Sequence, residues 1–596
     1  MILSALTDYY EHLLREEKVG QDGWSLAKVS YAITIDKDGQ VRGIQSLQKP
    51  EQRGKRETMV PVIRFVPLQK GRSRQIAPYF MCDNAKYLLG AWISSEDAEL
   101  DEKNQKQAQN YFAASAKYHK EILKERNNAF AKSVCKFFDT WDFEKDKDKF
   151  IVDWEKVLAA SNLIFRSFET TEELLKDEDI HKVWDEIYYD KTEQKKARCL
   201  VTGEVAPIAR LHPLIKGVRG AQSSGAALVS FNGNAFESYG KEQGDNAPVS
   251  EYVADAYGKS LNYLLSDDEH HKILGDTTTV FWADIEENEE GYARFLLEFT
   301  DNLDASEEHK LLSAMDAITK GKICEYGGGT LKPETKFYVL GLSPNAARVS
   351  VRFFYNSSFG NMIANIRQHY ERMRIEGPVY EKKEYPSISD ILYETVNKKA
   401  TNKQAQPILV GALMRSILEN QRYPAALYSH IMLRIYSERE INRNRAAVIK
   451  AYIIKNYPEK KEVVNSMKLN EDTDYVPYVL GRLFSVLEDI QKSAIGKETL
   501  KDRYFNSASS TPAVVFPQLI KLSNSHMRVL SRENKGLQVK KEKELEHLFS
   551  KIHSNFPARL SLEDQGIFMI GYYHQVQKFY VKKTDIKEQN EEKQEV

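Results

Sequence analysis

The stretch Lys336–Tyr355, KFYVLGLSPNAARVSVRFFY, decides the fold. Lys336–Leu342 and Arg348–Tyr355 are rich in Val, Phe and Tyr, so each reads as a strand. Pro344-Asn345 supplies the hairpin turn between them. Upstream, Thr277–Ala283 predicts a strand and Ser306–Ile318 a helix. Downstream, Asn361–Met373 predicts another helix. The order is β, α, β, β, α.

That order resembles an incomplete ferredoxin-like unit. Phe337, Tyr338, Phe353 and Phe354 then have two readings, as core residues or as a platform on which bases stack. Beyond about Asp390 the pattern is helical throughout. Val476, Val479, Leu483, Val486, Leu487 and Ile490 share one apolar face, and Ser561 with Asp564 suggests a capping box opening a last helix through Tyr580. The tail from Lys582, rich in Gln, Glu and Lys, is expected to be disordered.

Toward the amino terminus, Leu3, Leu6, Tyr10, Leu13 and Leu14 fall on one helical face. Val29, Tyr31, Ile33 and Ile35 alternate as a half-buried strand, and Asp38-Gly39 turns the chain back. Val60–Val66 predicts a further strand, followed by a basic loop. Asp83 is placed to cap a short helix that Gly90 ends. Glu96–Gln194 reads as mostly helical, and Val249–Leu265 as an amphipathic helix. The fold class expected is α+β, a large mixed amino-terminal part followed by a carboxy-terminal helical bundle. Four divisions follow: 1–95 with basic loops, 96–198 as an acidic helical insertion, 199–389 as a mixed part with a glycine-rich loop, and 390–596 as the bundle.

A chain of 596 residues with 42% hydrophobic content can bury sizeable cores. Its net charge is −1, yet the charges are unevenly spread. Gln48–Arg74 holds eight Lys/Arg against two acids, and Glu96–Gln194 holds 24 acids against 16 bases. Met362–Ser466 is basic again, with 18 against 11. Such a distribution suits a subunit that touches nucleic acid on some faces and protein on others. Cys82, Cys135, Cys199 and Cys324 are scattered, which argues against a zinc site or disulfide framework and for a reducing cytoplasm. Neither a signal peptide nor a membrane span is expected.

Catalytic patterns fail one by one. Gly240-Lys241 lacks the spacing and hydroxyl of a P-loop, because Glu242 follows the lysine. Gln222 stands where a nucleophile elbow around Ser224 needs glycine. Asp267–His271 imitates a metal cluster but reads as a solvated helix end, and His212 reads as structural. No nucleophile, base and oxyanion hole assemble, so no enzyme, metal or cofactor is expected.

Cys199–Leu265, CLVTGEVAPIARLHPLIKGVRGAQSSGAALVSFNGNAFESYGKEQGDNAPVSEYVADAYGKSLNYLL, carries an unusual loop. Gly217, Gly220 and Gly225 let backbone approach a ligand, and Gln222, Ser223, Ser224, Asn232 and Asn234 can bond phosphates or base edges. A glycine-rich surface loop with no ligand is the alternative. The basic stretch Lys49–Arg74 likewise reads either as a solvated hairpin or as loops reaching duplex phosphates.

The Cys199–Leu265 block resembles the signature of the large subunit of type I-C (Dvulg subtype) CRISPR surveillance complexes, of the Cas-eight family. MILSALTDYYEHLL at the amino terminus, FMCDNAKYLLG at Phe80–Gly90 and LGLSPNAARVSVRFF at Leu340–Phe354 are similar to further blocks of that family, in order. The resemblance implies a non-catalytic subunit beside the one holding the guide RNA 5′ handle. It would inspect double-stranded DNA for a protospacer-adjacent motif, help open the duplex into an R-loop, and receive a helicase–nuclease. Its partners would be the target DNA, the guide RNA, the backbone and repeat-processing subunits of Cascade, and a small subunit. The candidates for duplex backbone contact are Arg53, Lys55, Arg56, Arg72 and Arg74. For motif reading and strand separation they are Asn84, Lys86, Lys216, Arg219, Gln222, Ser223 and Asn234. The family pattern also implies an internal start at Met467, making 467–596 a separately translated small subunit. An RNA-binding scaffold and a metal-dependent nuclease are the competing functions.

Overall fold

The computed structural model describes residues 1–53, 56–69, 72, 76–93, 102–160, 162–189, 195–285, 290–301, 303–378, 384–401, 405–496, 499–553 and 555–592. The chain divides into two units, Met1–Pro213 with Phe231–Tyr263, and Leu214–Ser230 with the residues from Leu264 onward.

The first unit opens with α1 (Ile2–Arg15), whose Leu6, Tyr9, Tyr10 and Leu13 are buried. β1 (Trp24–Val29) and β2 (Tyr31–Ile35) follow, then β3 (Val41–Ser46), β4 (Lys49–Arg53), β5 (Arg56–Val60), β6 (Val62–Pro67) and β7 (Cys82–Asp83). The single strand expected over Val29–Ile35 is divided at Ser30: β1 pairs with β6, while β2 joins another sheet. The turn at Asp38-Gly39 forms as expected, with Gly39 at φ +76°. Next come α2 (Ala85–Leu88), α3 (Glu102–Leu123), α4 (Ala129–Thr140), α5 (Phe143–Asp146), α6 (Trp154–Leu158), β8 (Leu163–Ser167) and α7 (Glu178–Tyr189).

β8 runs parallel to β2, in register Tyr31↔Leu163 to Ile35↔Ser167, and completes a sheet of order β3-β2-β8-β7. The boundary expected at 95/96 therefore runs through one sheet. Its core joins Ile33 and Phe165 of the strands to Phe137 and Phe138 of α4 and to Trp141, which follows that helix. The acidic, mostly helical segment hides β8 because LIFRS is only five residues long. The short strands β9 (Lys196–Arg198) and β10 (Val205–Pro207) and helix α8 (Glu251–Ser266) come later in the chain.

The second unit is built on a six-stranded sheet, β11 (Leu214–Ile215), β12 (Ala226–Ala227), β18 (Arg348–Ser358), β17 (Lys336–Asn345), β14 (Thr277–Ala283) and β13 (His271–Leu274), in that order. All of β14 is buried, as befits a central strand of β-branched and aromatic residues. The hairpin turn falls on Ala346-Ala347, one step beyond Pro344-Asn345, which pair within it.

The ferredoxin-like reading is corrected. β17 lies directly beside β14 and antiparallel to it, Ala283 facing Phe337, whereas a split βαβ would place them parallel with a strand between. The connection contains α9 (Glu290–Thr300), α10 (Ala305–Thr319) and the hairpin β15 (Cys324–Tyr326) with β16 (Gly329–Leu331), and it returns to the same end of the sheet. Phe337 and Phe353 face the core with α11 (Phe359–Met373). Tyr338 points to the other face, stacked on Trp282 at 5.0 Å and Phe354 at 6.1 Å between centroids. Trp282 and Tyr338 are 1% and 2% exposed, so neither offers a ring face to a base.

The helical part comprises α12 (Ile388–Glu394), α13 (Pro407–Leu418), α14 (Ala425–Glu438), α15 (Arg443–Asn456), α16 (Lys461–Val464), α17 (Val476–Ile495), α18 (Leu500–Ser510), α19 (Pro512–Glu533), α20 (Lys535–Ser550) and α21 (Leu562–Glu592). α17 and α21 touch backbone to backbone: a Cβ on Gly481 would sit 2.0 Å from the Phe568 carbonyl oxygen. Only glycine allows that approach. The Ser561 hydroxyl accepts from the Asp564 amide at 3.2 Å, as expected, and α21 continues to Glu592 where a disordered tail is predicted. The core is unbroken from Leu274 to Tyr573. Among the described residues no helix is long and apolar enough to cross a membrane.

Candidate nucleic-acid interface

The Phe80–Gly90 segment forms a rigid platform in the first unit. Asp83, fully buried, accepts from the Tyr79 amide at 2.9 Å, the Asn84 amide at 2.8 Å and the Arg72 guanidinium. It does not cap α2, where Asn84 holds the N-cap position. Burial raises its pKa, and the charge and hydrogen bond of Arg72 oppose that shift. Arg72 also donates to the Ala77 carbonyl at 2.7 Å and lies between the rings of Tyr79 and Tyr87, at 3.7 and 4.0 Å. Planar guanidinium is suited to such a sandwich and to a carboxylate at once.

Arg72 is therefore spent on the fold and is not free to neutralise a phosphate, which corrects its assignment to the duplex backbone. Arg64 is engaged too, at 2.9–3.0 Å from Glu173. The rest of the basic stretch departs from the expected pair of loops. Lys49, Arg53 and Arg56 belong to the β4–β5 hairpin, with Arg53 opposite Arg56 at its end. Lys55 and Arg74 lie outside the described residues.

Two side chains on the platform have capacity left over. The Asn84 Oδ1 atom is buried and has no hydrogen-bond partner among the described residues. Lys86 Nζ sits among the rings of Tyr111, Trp92 and Tyr87, at 4.8, 5.5 and 5.8 Å, with no carboxylate within 4 Å among the described residues. Burial and the nearby Arg72 charge lower its pKa. An orphan acceptor costs about 1–3 kcal/mol, so a ligand donor that reaches Asn84 is favoured.

Asn234 is exposed at the start of a short 3₁₀ turn, Asn234–Phe236. Beside it stand two aromatics not singled out from sequence, Phe236 at 47% and Tyr239 at 99% exposure. Tyr239 also has φ +56°, a conformation that costs a bulky residue free energy. The available signal was two aromatics three residues apart in a polar loop without helical or strand period.

Lys216, Arg219, Gln222 and Ser223 lie together in the second unit, all exposed on the link between β11 and β12. The Arg219 amide donates to Thr278 Oγ1 at 3.0 Å, fixing the link to the sheet. Gly217, Gly220 and Gly225 have positive φ, and a Cβ on Gly225 would meet Leu214 Cβ at 2.8 Å. One on Gly220 would meet Pro344 at 3.3 Å. The glycines thus serve the compaction of the link on its own strands, where close approach to a ligand was expected.

Met467 is partly exposed between α16 and α17, and its carbonyl accepts from the Glu376 amide at 2.9 Å. His212 is held at Nδ1 by the Tyr257 hydroxyl at 2.8 Å, and burial lowers its pKa to about 4. No cluster of three or more His, Cys, Asp or Glu among the described residues could hold a metal ion.

A comparison with protein families matches the model described as CRISPR-associated protein (Cas_Csd1) over residues 6–580. A comparison with curated proteins finds no match.

Proposed function

We propose, from the premise that this chain belongs to the Cas_Csd1 family of CRISPR-associated proteins, that it is the non-catalytic large subunit of a type I-C RNA-guided surveillance complex. Membership supports a Cascade subunit; the finer role is our reading. In it, the protein reads a protospacer-adjacent motif in double-stranded DNA, starts strand separation, and receives a helicase–nuclease in the cytoplasm. Guide RNA pairing reads the long sequence and protein reads the short one.

The observation that carries the reading is the Asn84–Lys86 pair on its platform. Minor-groove readout depends on a few acceptors and donors, of which the guanine amino group is the informative donor. Among the described residues Asn84 Oδ1 lacks a donor and Lys86 lacks a carboxylate. Asp83 and Arg72 hold the backbone beneath them, so the backbone adds little ordering cost, and the buried Asn84 Oδ1 atom turns outward to reach a base. In the same reading Phe236 and Tyr239 serve as apolar wedges between base steps, while Arg53, Lys55, Arg56 and Arg74 meet duplex phosphates.

The test is a gel-shift series with the guide-loaded complex. Binding of duplex should depend on a short flanking motif and on the guide. Magnesium-dependent cleavage by the isolated chain would favour the nuclease alternative.

The internal product from Met467 belongs to the same reading. α21 packs on α15 as well as on α17, and the hydroxyl of Tyr428 in α14 donates to the Leu562 carbonyl at 2.8 Å. A separate 467–596 product needs another apolar surface for that face. Mass spectrometry of the purified complex should find a peptide beginning at or near Met467, and its absence removes the product.

A further inference from the structure

In the second unit, α11, the Glu419–Pro424 link and the end of α15 converge on a group of cations that the proposed motif reading does not use. The link is clamped from both sides. Asn365 Nδ2 donates to the Leu418 carbonyl at 2.7 Å, and Asn420 Nδ2 to Gln368 Oε1 at 2.7 Å. Asn456 exchanges two hydrogen bonds with the Tyr423 backbone, at 3.0 and 2.9 Å. The Tyr423 hydroxyl, buried, accepts from Arg372 Nε at 3.3 Å and lies 2.7 Å from His369 Nδ1. Accepting from arginine leaves the hydroxyl proton for the imidazole, so His369 acts as the brace that orients Tyr423 and, through it, Arg372.

Arg372 and Lys455 are both half-buried here, and Arg422 is exposed on the link between them in sequence. Lys455 Nζ has Asn420 Oδ1 at 2.9 Å, a neutral acceptor. Arg372 Nη2 is buried without a hydrogen-bond partner among the described residues. Among the described residues none of the three cations has a carboxylate within 4 Å. The nearby acids are taken, Glu371 by Arg367 and Glu419 by the Gln421 side chain. The Arg372 charge is felt by both Lys455 and His369, and with burial it depresses the proton affinity of each. Helix C-termini favour a cation at Lys455 and Arg372, but they leave the unbonded guanidinium nitrogen unexplained. Crowded cations with spare donors and no counter-charge are what an oxyanion site offers before its ligand arrives.

We propose that Arg372 and Lys455, positioned by Tyr423 and His369, form a receptor for one backbone phosphate of a nucleic-acid strand. Arginine supplies a planar fork to two phosphate oxygens and lysine a point charge to a third. The proposal rests on the reading of the chain as a nucleic-acid-handling subunit, but it touches neither Asn84 nor Lys86.

The test uses the full chain and a fluorescein-labelled single-stranded oligodeoxynucleotide, with anisotropy read across a salt series. Arg372→Gln and Lys455→Gln should each weaken strand binding about tenfold, and the log K versus log salt slope should fall by about 0.7 per cation removed. Arg422→Gln is a surface change and Lys455→Gln removes one hydrogen bond to Asn420 from a half-buried side chain, so they keep the test decisive if Arg372→Gln unfolds the protein. In a second arm, calorimetric titration with inorganic phosphate should show the same losses. Unchanged affinity and slope in the Arg422→Gln/Lys455→Gln double variant would overturn the proposal. Loss of inorganic phosphate binding with intact strand binding would overturn the strand assignment in favour of a free phosphate. If instead the motif reading is at fault, wild type will show no motif preference while these strand effects persist.

Discussion

Arg72 and Asp83 form an ion pair in which the carboxylate is 1% exposed and the guanidinium 18%. The pair lies beneath the Asn84–Lys86 segment and links it to the chain eleven residues upstream. Breaking a buried pair leaves one charge without its partner, at a typical cost of about 3–5 kcal/mol. Arg72→Ala and Asp83→Ala should therefore lower the denaturation midpoint strongly. At a temperature where the variants remain folded, Arg72→Ala should leave the salt dependence of duplex binding unchanged. A lower salt slope in that variant would return Arg72 to the phosphate contacts.

Four histidines with lowered pKa values contribute to the response to acid. Burial lowers the pKa of His119 and His212 to about 4, and of His369 and His574 to about 3, from 6.5. Above pH 6.5 these rings are neutral in both folded and unfolded chains. Below it the unfolded chain takes up protons that the folded chain refuses, so stability declines as pH falls from 6.5 toward 4 and then 3. Each ring contributes about 1.4 kcal/mol per pH unit within its window. Urea titrations at pH 7, 6 and 5 should show this decline, and His119→Gln should make it shallower.

Phe236 and Tyr239 stand out of a polar loop beside Asn234. Replacing both with alanine should leave initial duplex binding within about twofold, since neither carries charge, while slowing strand opening. Fluorescence of 2-aminopurine next to the motif reports opening directly. Equal opening rates in wild type and the double variant exclude these residues as wedges.

The fold class was legible because its signals are local. The apolar run Thr277–Ala283 and the stripe on α17 each announce their period within a single element. β8 was missed because its five residues sit in helical surroundings, and its partner β2 lies about 130 residues away. The placement of β17 beside β14 was likewise invisible, since pairing order depends on how the β15–β16 hairpin returns the chain. At the candidate site, residue type pointed to Asn84 and Lys86, but it also pointed to Arg72. Only the geometry of Asp83, Tyr79 and Tyr87 separates a structural arginine from one left for phosphate. Glycines misled for a related reason, because a positive φ serves a tight link as readily as a ligand.

The salt dependence of binding follows from that separation. Of the eight cations in Lys49–Arg74, Arg64 and Arg72 are engaged, and in the proposed reading the duplex contacts come from the other six. If half of them meet phosphates, log K should fall with log salt at a slope of about −3 from this stretch. Replacing Arg53, Lys55, Arg56 and Arg74 together by alanine should flatten the slope for all sequences alike. A variant slope equal to wild type excludes the hairpin from the DNA contact.

The most direct measurement is the affinity of the guide-loaded complex for duplexes with a randomised flanking motif, compared between wild type and Asn84→Ala. Wild type should select a short motif, and the variant should lose about 1–3 kcal/mol of discrimination at one position. Lys86→Gln should instead weaken all sequences evenly. A wild-type complex that binds every flank equally, or an Asn84→Ala variant with its selection intact, contradicts the proposed motif reading.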